Sequence, residues 1–140
     1  MRSTALKWTV NQDSDGKTGR SDAGPRLPKA KQERVIALCE GMIDLAAAMF
    51  NVSSKELRLA NRCSPGVARV RQIAMYVAHV VLEISMREVG EGFGRDRTTV
   101  LHACHQIEDL RDDEEFDAIV ATFERVAKVA FGQPETQARI

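Results

Sequence analysis

The sequence has little that marks a partner or a compartment by itself. Its 140 residues carry no net charge, with 20 Lys and Arg against 20 Asp and Glu. The total therefore selects neither a polyanion nor a basic target. Its three cysteines, Cys39, Cys63 and Cys104, are widely spaced and form no CxxC pair. That excludes a disulfide framework and fits a reducing cytoplasm. No long hydrophobic run exists: the longest, "IAMYVAHVVLEI", has 12 residues and contains His79 and Glu83. A membrane span needs roughly 20, so this stretch reads as a buried helix, with His79 a hydrogen-bonded core residue and no membrane partner. The N-terminal stretch lacks the apolar segment of a signal peptide. Long strand-like alternation is missing, so the expected fold class is all-α.

Two apparent sites fail on spacing. "DGKTGRS" contains a GKT, but a phosphate-binding P-loop places a glycine five positions before the GK glycine, where this chain has Asn11. No ATPase site and no cofactor are expected. "LHACH" sets His102 and His105 three apart with Cys104 on another face, and no second pair completes a tetrahedral zinc site. The acidic run "EDLRDDEEFD" has no accompanying base or nucleophile and reads as solvated carboxylates joining two helices, with Asp112 or Asp113 as a cap. The chain is expected to be non-enzymatic.

What is present is a charge asymmetry and a strong helical period. Residues 1–34 carry +4 and 53–105 carry +3, whereas 106–140 carry −5. A basic front and an acidic back can orient a protein on a polyanion. Residues 1–27 are polar, show no hydrophobic period, hold the single Trp8, and are expected to form a disordered arm. One helical domain is expected over 28–131, followed by a flexible tail over 132–140.

From Lys29, the apolar positions Val35, Leu38, Cys39, Met42, Ile43, Ala46, Met49 and Phe50 follow three-four spacing, and Asn51 ends the helix. "SSKELRLA" offers a capping box, Ser53 with Glu56. "NRCSPG" reads as a loop broken by Pro65 and Gly66. A third helix is predicted from about Val67 to Ile84, burying Val70, Ile73, Ala74, Val77, Val80, Val81 and Ile84. Ser85 and Glu88 form a second capping box ahead of "MREVGEGF", and Gly90, Gly92 and Gly94 supply a turn. Asp96 is positioned as N-cap of a helix packing Val100, Leu101, Cys104, Ile107 and Leu110 inward. A last helix over about 115–131 would bury Phe116, Ile119, Val120, Phe123, Val126, Ala127 and Ala130. Short helix, glycine-rich turn and second helix make the outline of a helix-turn-helix, with an amphipathic helix added at the C-terminus.

That outline gives "GRDRTTVLHACHQ" a use. The start of a helix offers unpaired N–H groups and partial positive charge to phosphate. Arg95 and Arg97 add full charges there, and Thr98 and Thr99 add small donors with methyl groups suited to thymine. A recognition helix presents this first turn to the major groove, with His102 farther along the same face. Arg62, Arg69 and Arg71, at a loop and the start of the third helix, fit backbone phosphates. Double-stranded DNA is the expected partner.

The stretch "VARVRQIAMYVAHVVLEISMREVGEGFGRDRTTVLHACHQIEDLRDD" resembles the C-terminal DNA-binding domain of DnaA, the bacterial chromosomal replication initiator. The family signature runs close to RDHTTVLHACRKI, and this chain reads "RDRTTVLHACHQI"; the upstream element is present as "VARVRQIAM". The similarity covers about Met49 to Leu110. It implies that Arg95, Asp96, Arg97, Thr98 and Thr99 meet the major groove, and that the basic loop before the third helix reaches phosphates and the minor groove. It also implies an asymmetric DnaA-box-like site and a nucleoid-associated place in the cytoplasm. The signature histidine is Arg97 here, and the basic loop holds Arg62 followed by Cys63 and Pro65. The initiator's ATPase module has no counterpart in these residues. The expected function is a transcriptional regulator, or a modulator of replication initiation at initiator-type boxes, with room for a protein partner in either machinery. The alternative is a protein-interaction module that kept the fold after losing DNA affinity. A monomer is the simpler expectation; a dimeric repressor would need an exposed apolar face on the last helix.

Overall fold

The computed structural model describes residues 29–59 and 64–132, and among them the chain is all-α. Six helices follow in order: α1 (Lys29–Phe50), α2 (Ser54–Arg58), α3 (Pro65–Val80), α4 (Met86–Phe93), α5 (Arg97–Leu110) and α6 (Glu114–Phe131). The expected arm over 1–27, Trp8, Arg62, Cys63 and nearly all of the expected tail lie outside the described residues.

Local chemistry starts most of these helices. The Ser53 hydroxyl accepts from the Glu56 N–H at 3.3 Å, and Ser64 accepts from the Val67 N–H at 3.2 Å. Ser85 and Glu88 close both halves of a capping box, at 3.1 and 3.3 Å. Asp113, the second of the two candidate caps, accepts from the Phe116 N–H at 2.9 Å. Asn51 ends α1 with a left-handed φ of 56°.

The third helix differs from expectation at both ends. Pro65 and Gly66 are not loop breakers: Pro65 occupies the first helical turn, where its missing N–H costs nothing, and Ser64 caps it. The helix stops at Val80 rather than Ile84 because Glu83 takes a left-handed φ of 57°. His79 Nδ1 donates to the Ile84 carbonyl at 2.7 Å across this bend. The lone apolar-helix histidine is thus a hydrogen-bonded, half-buried residue.

Packing places α3 at the centre, against α1, α2, α4, α5 and α6. Ile73, Ala74, Met75, Tyr76, Val77 and Ala78 are all buried on it. Burying such a run removes water from apolar surface on every side, worth about 1.5–3 kcal/mol for each large side chain. α1 contributes Cys39, Met42, Ile43 and Ala46, and α6 contributes Val120, Phe123 and Ala127. Phe50 and Phe123 meet edge to face with centroids 5.7 Å apart. Burial, with the nearby Glu88 and Glu40 charges, pushes the Cys39 thiol up to about 12. Burial and then Glu108 raise that of Cys104 as well.

Four residues predicted for the core lie outside it. Met49, Ile119 and Val126 are exposed, and so is Ala130. Three-four spacing on α6 is satisfied by two neighbouring stripes, and only one of them meets α1 and α3. No helix among the described residues is long and apolar enough to cross a membrane.

Candidate nucleic-acid interface

The turn between α4 and α5 is built from one flexible glycine and one close approach. Gly94 caps α4 with φ 70°, a conformation that side chains with a Cβ rarely adopt. Gly90 and Gly92 do not belong to the turn as the sequence suggested; both lie within α4. Gly90 lets the chain double back: the Arg95 N–H donates to the Gly90 carbonyl at 2.7 Å, and a Cβ at Gly90 would sit 2.6 Å from the Arg95 carbonyl oxygen. Gly92 faces Cys39, whose Sγ would lie 2.4 Å from an added Cβ. Gly90→Ala should therefore destabilise the domain by about 1–3 kcal/mol and shift the start of α5, because the opposing atom is backbone and cannot rotate away. Chemical denaturation, with amide shifts for residues 95–99, would check this.

α5 is anchored along one face and open along the other. Val100, Ala103, Cys104 and Ile107 are buried against α3 and α4. Asp96, Thr98, Thr99 and His102 are exposed, as is His105. Buried Cys104 and exposed His102 and His105 thus lie on different faces. Asp96 holds the N-cap position, yet its carboxylate makes no capping bond. Thr98, Thr99, His102 and Arg97 likewise have no side-chain hydrogen bond among the described residues. The first turn of the helix therefore presents one acid and two hydroxyls to solvent, with the half-buried Arg97 beside them.

The other arginines divide. Arg95 Nη2 donates to the Leu59 carbonyl at 2.6 Å and Nη1 to the Gly94 carbonyl at 3.3 Å, tying the entry of α5 to the end of α2. Arg69 pairs with Gln72 at 2.7 Å and stays half-buried. Arg71, expected with Arg69 as a backbone clamp, is not brought to the surface; it is 9% exposed. Its Nε donates to the Leu57 carbonyl at 2.9 Å and its Nη2 to those of Glu56 and Leu59, at 3.3 and 3.5 Å. Those carbonyls lie in the last turn of α2, where the Glu56 carbonyl also accepts from the Leu59 N–H, so Arg71 is a helix C-cap supplied from a neighbouring helix. Arg62 lies outside the described residues.

Behind α5 lies a polar network absent from the sequence expectations. Tyr76 donates to Glu108, which is 7% exposed, and Arg111 Nη1 donates to the Tyr76 hydroxyl at 3.2 Å. The same guanidinium reaches Glu124 at 2.9 Å and Asp117 at 2.5 Å. Burial alone disfavours the Arg111 charge, but Glu124 and Asp117 outweigh it and hold the group firmly protonated. Burial first, then the bond to Glu108, raises the Tyr76 hydroxyl well above its ordinary range. The network joins α3, α5 and α6. One sequence signal pointed to it: Glu108 falls on the buried stripe of α5, four residues after Cys104.

The α4–turn–α5 unit, with one helix face anchored and its leading turn open, defines a helix-turn-helix domain. Residues 39–107 match the family model described as "Bacterial dnaA protein helix-turn-helix". This segment belongs to that family. The chain is also similar to a crystal structure of a DNA replication initiation factor, at 26% identity and a TM-score of 0.63. The match covers 71% of this chain and 30% of the initiation factor, so the chain spans under a third of that protein's length.

Proposed function

We propose that this chain is a sequence-specific reader of double-stranded DNA, acting at asymmetric sites of the DnaA-box kind to regulate transcription or modulate replication initiation. One observation carries the reading. The first turn of α5 exposes Asp96, Thr98 and Thr99 and holds Arg97 half-buried beside them, their side chains unpartnered among the described residues, while Val100, Ala103, Cys104 and Ile107 fix the opposite face. A helix so held can enter a major groove without rearranging, and its N-terminal dipole favours the phosphates on either side.

The roles divide by geometry. Arg97, Thr98, Thr99 and His102 line the reading face, with Asp96 at its tip. Arg95 contacts phosphate while keeping its tie to Leu59. Arg69 and Arg62 extend the contact onto the backbone. Arg71 supports the site from inside by capping α2.

Arg69→Ala should then lower the magnitude of the salt slope of binding by about 1, with little change in stability. Arg71→Ala should do the reverse, costing about 1–3 kcal/mol of stability, chiefly because the Leu57 carbonyl loses its donor while those of Glu56 and Leu59 keep the Leu59 N–H and Arg95. Affinity titrations at several salt concentrations, beside urea unfolding of each variant, separate the two.

The deciding experiment is selection of preferred sites from random duplexes at near-physiological salt. Recovery of an asymmetric DnaA-box-related motif supports the reading. An unrelated motif would mean that Arg97, in the signature's histidine position, has retuned the reader. No enrichment by a folded protein would leave the protein-interaction module in its place.

A further inference from the structure

The outward side of α5 carries a line of polar side chains that the packing of the domain leaves unused. Thr98, His102, His105 and Asp109 stand four, three and four residues apart, so they share one face, and all four are exposed. The buried stripe of Val100, Cys104 and Ile107 lies on the opposite face. Neither imidazole has a hydrogen bond or ion pair among the described residues. The third histidine, His79, is bonded to the Ile84 carbonyl instead. We infer, resting on DNA reading by α5, that His102 and His105 bind the duplex as imidazolium ions, His105 against a backbone phosphate, so that proton uptake sets the affinity.

The dimensions of the groove place both rings on DNA. A helix with its side chains is about 10–12 Å across, and a major groove is about 12 Å wide. A helix seated there turns its outward line to DNA rather than to water. Thr98 and His105 are separated by about 10 Å of rise, and the groove is about 8.5 Å deep. With the first turn at the base edges, His105 therefore stands level with the phosphates of the groove wall. His102 lies between the two levels, where a charged imidazole brings two N–H donors and a neutral one brings only one.

The charges around the two rings decide the sign. Asp109 follows His105 by one turn on the same line, and the acidic run from Asp112 lies beyond the helix end. The helices packed most closely on α5 are α3 and α4, against its buried face. Their charged or titratable side chains include Arg69, Arg71 and His79 on α3, and Arg87, Glu88 and Glu91 on α4. Arg69, Arg71, His79 and Glu88 are bonded to Gln72, the end of α2, the Ile84 carbonyl and the Ser85 N–H. None of the six bonds to either imidazole. The outward line thus carries −1 from Asp109 when both rings are neutral, and +2 − 1 = +1 when both are charged. The first state repels phosphate and the second attracts it.

Phosphate favours the charged ring, so binding takes up protons. The added affinity is present at the acid end of the range over which imidazole titrates, about pH 5 to 8, and is lost as pH rises through it. The full chain, titrated with a duplex of random sequence, should bind about tenfold more tightly near pH 6 than near pH 8. The slope of log K against log salt should be steeper near pH 6 by about 0.9 for each phosphate neutralised. His105→Gln should remove much of the gain near pH 6 and leave binding near pH 8 unchanged. His105→Lys should raise the affinity near pH 8 and flatten the pH profile. Both variants should keep the circular-dichroism melt, because His105 is exposed. Binding with the same affinity and slope at both pH values overturns the inference alone. So does a pH dependence that survives in His102→Gln with His105→Gln, since another group would then titrate. Failure of the folded chain to bind duplex at either pH removes the DNA reading itself, and this inference with it.

Discussion

Arg111→Ala should cost about 2–4 kcal/mol of stability, toward the lower side of a broken buried ion pair because Asp117 keeps a 43% exposed side chain. For a domain of this size, that lowers the midpoint of thermal unfolding by on the order of 10–20 °C. Three separate losses produce the effect. The Glu124 carboxylate, 22% exposed, is left without its cation. The Tyr76 hydroxyl loses its donor at 3.2 Å, and the guanidinium no longer stacks 5.8 Å from the Tyr76 ring centroid. Finally, α6 loses its ionic attachment to the end of α5. Removing the more buried carboxylate at the same time, as Arg111→Met with Glu124→Leu, should return part of the loss. An apolar replacement of the buried pair leaves no buried charge uncompensated, and Asp117, 43% exposed, can turn to water. Differential scanning calorimetry of the single and double variants would decide. A loss below about 0.5 kcal/mol in Arg111→Ala would mean that the network adds nothing to its solvated alternatives.

How much of this was legible in the sequence follows from the range of each interaction. Caps depend on residues three apart, and Ser53, Ser85 and Asp113 were readable for that reason. Hydrophobic period located the four longer helices, because it records which face will be buried, while the two short ones were found from their caps. It could not say how many faces. On α6, Ile119 and Val126 satisfy the spacing as well as Val120 and Phe123 do, and only the approach of α1 and α3 distinguishes them. The same limit explains the glycines. Gly90 and Gly92 look like turn residues in sequence, but they serve as flat places on α4 where the Arg95 backbone and Cys39 come close.

The missed polar contacts are the longest in sequence. Tyr76 and Glu108 stand 32 residues apart, and Arg111 and Tyr76 stand 35 apart. Arg71 illustrates the consequence for site prediction. An arginine in the first turns of a helix, beside Arg69 and below a basic loop, has every local mark of a phosphate contact. Its partners are carbonyls 12 to 15 residues away, at the end of a helix only five residues long. A short helix leaves most of its final carbonyls unpaired, and a long cation from outside is one of the few groups able to reach several together. Arg95 performs part of the same task from the opposite side, so two arginines converge on the Leu59 carbonyl. The site's basic residues therefore hold the scaffold together before any nucleic acid is considered.

Asp96→Ala should lower affinity for the preferred duplex by about 1–3 kcal/mol while leaving binding to random duplex unchanged or tighter. An aspartate at an N-cap ordinarily contributes about 1 kcal/mol by accepting a backbone N–H. Here the carboxylate makes no such bond, so the helix loses only its weaker attraction to the dipole, a few tenths of a kcal/mol. Stability is then nearly silent, and the binding data can be read directly. On random sequence the carboxylate meets phosphates of its own sign, and removing it relieves repulsion. It gains only where the groove offers a donor, and the cytosine N4 amino group is the one that suits an acceptor-only side chain. The opposite signs on the two duplexes are what separate base reading from a general change in charge. Arg97→Ala is the companion measurement. It should weaken both duplexes, the preferred one more, if the guanidinium reads a guanine edge. Equal weakening of all sequences would restrict Arg97 to phosphate and leave Asp96, Thr98 and Thr99 as the readers.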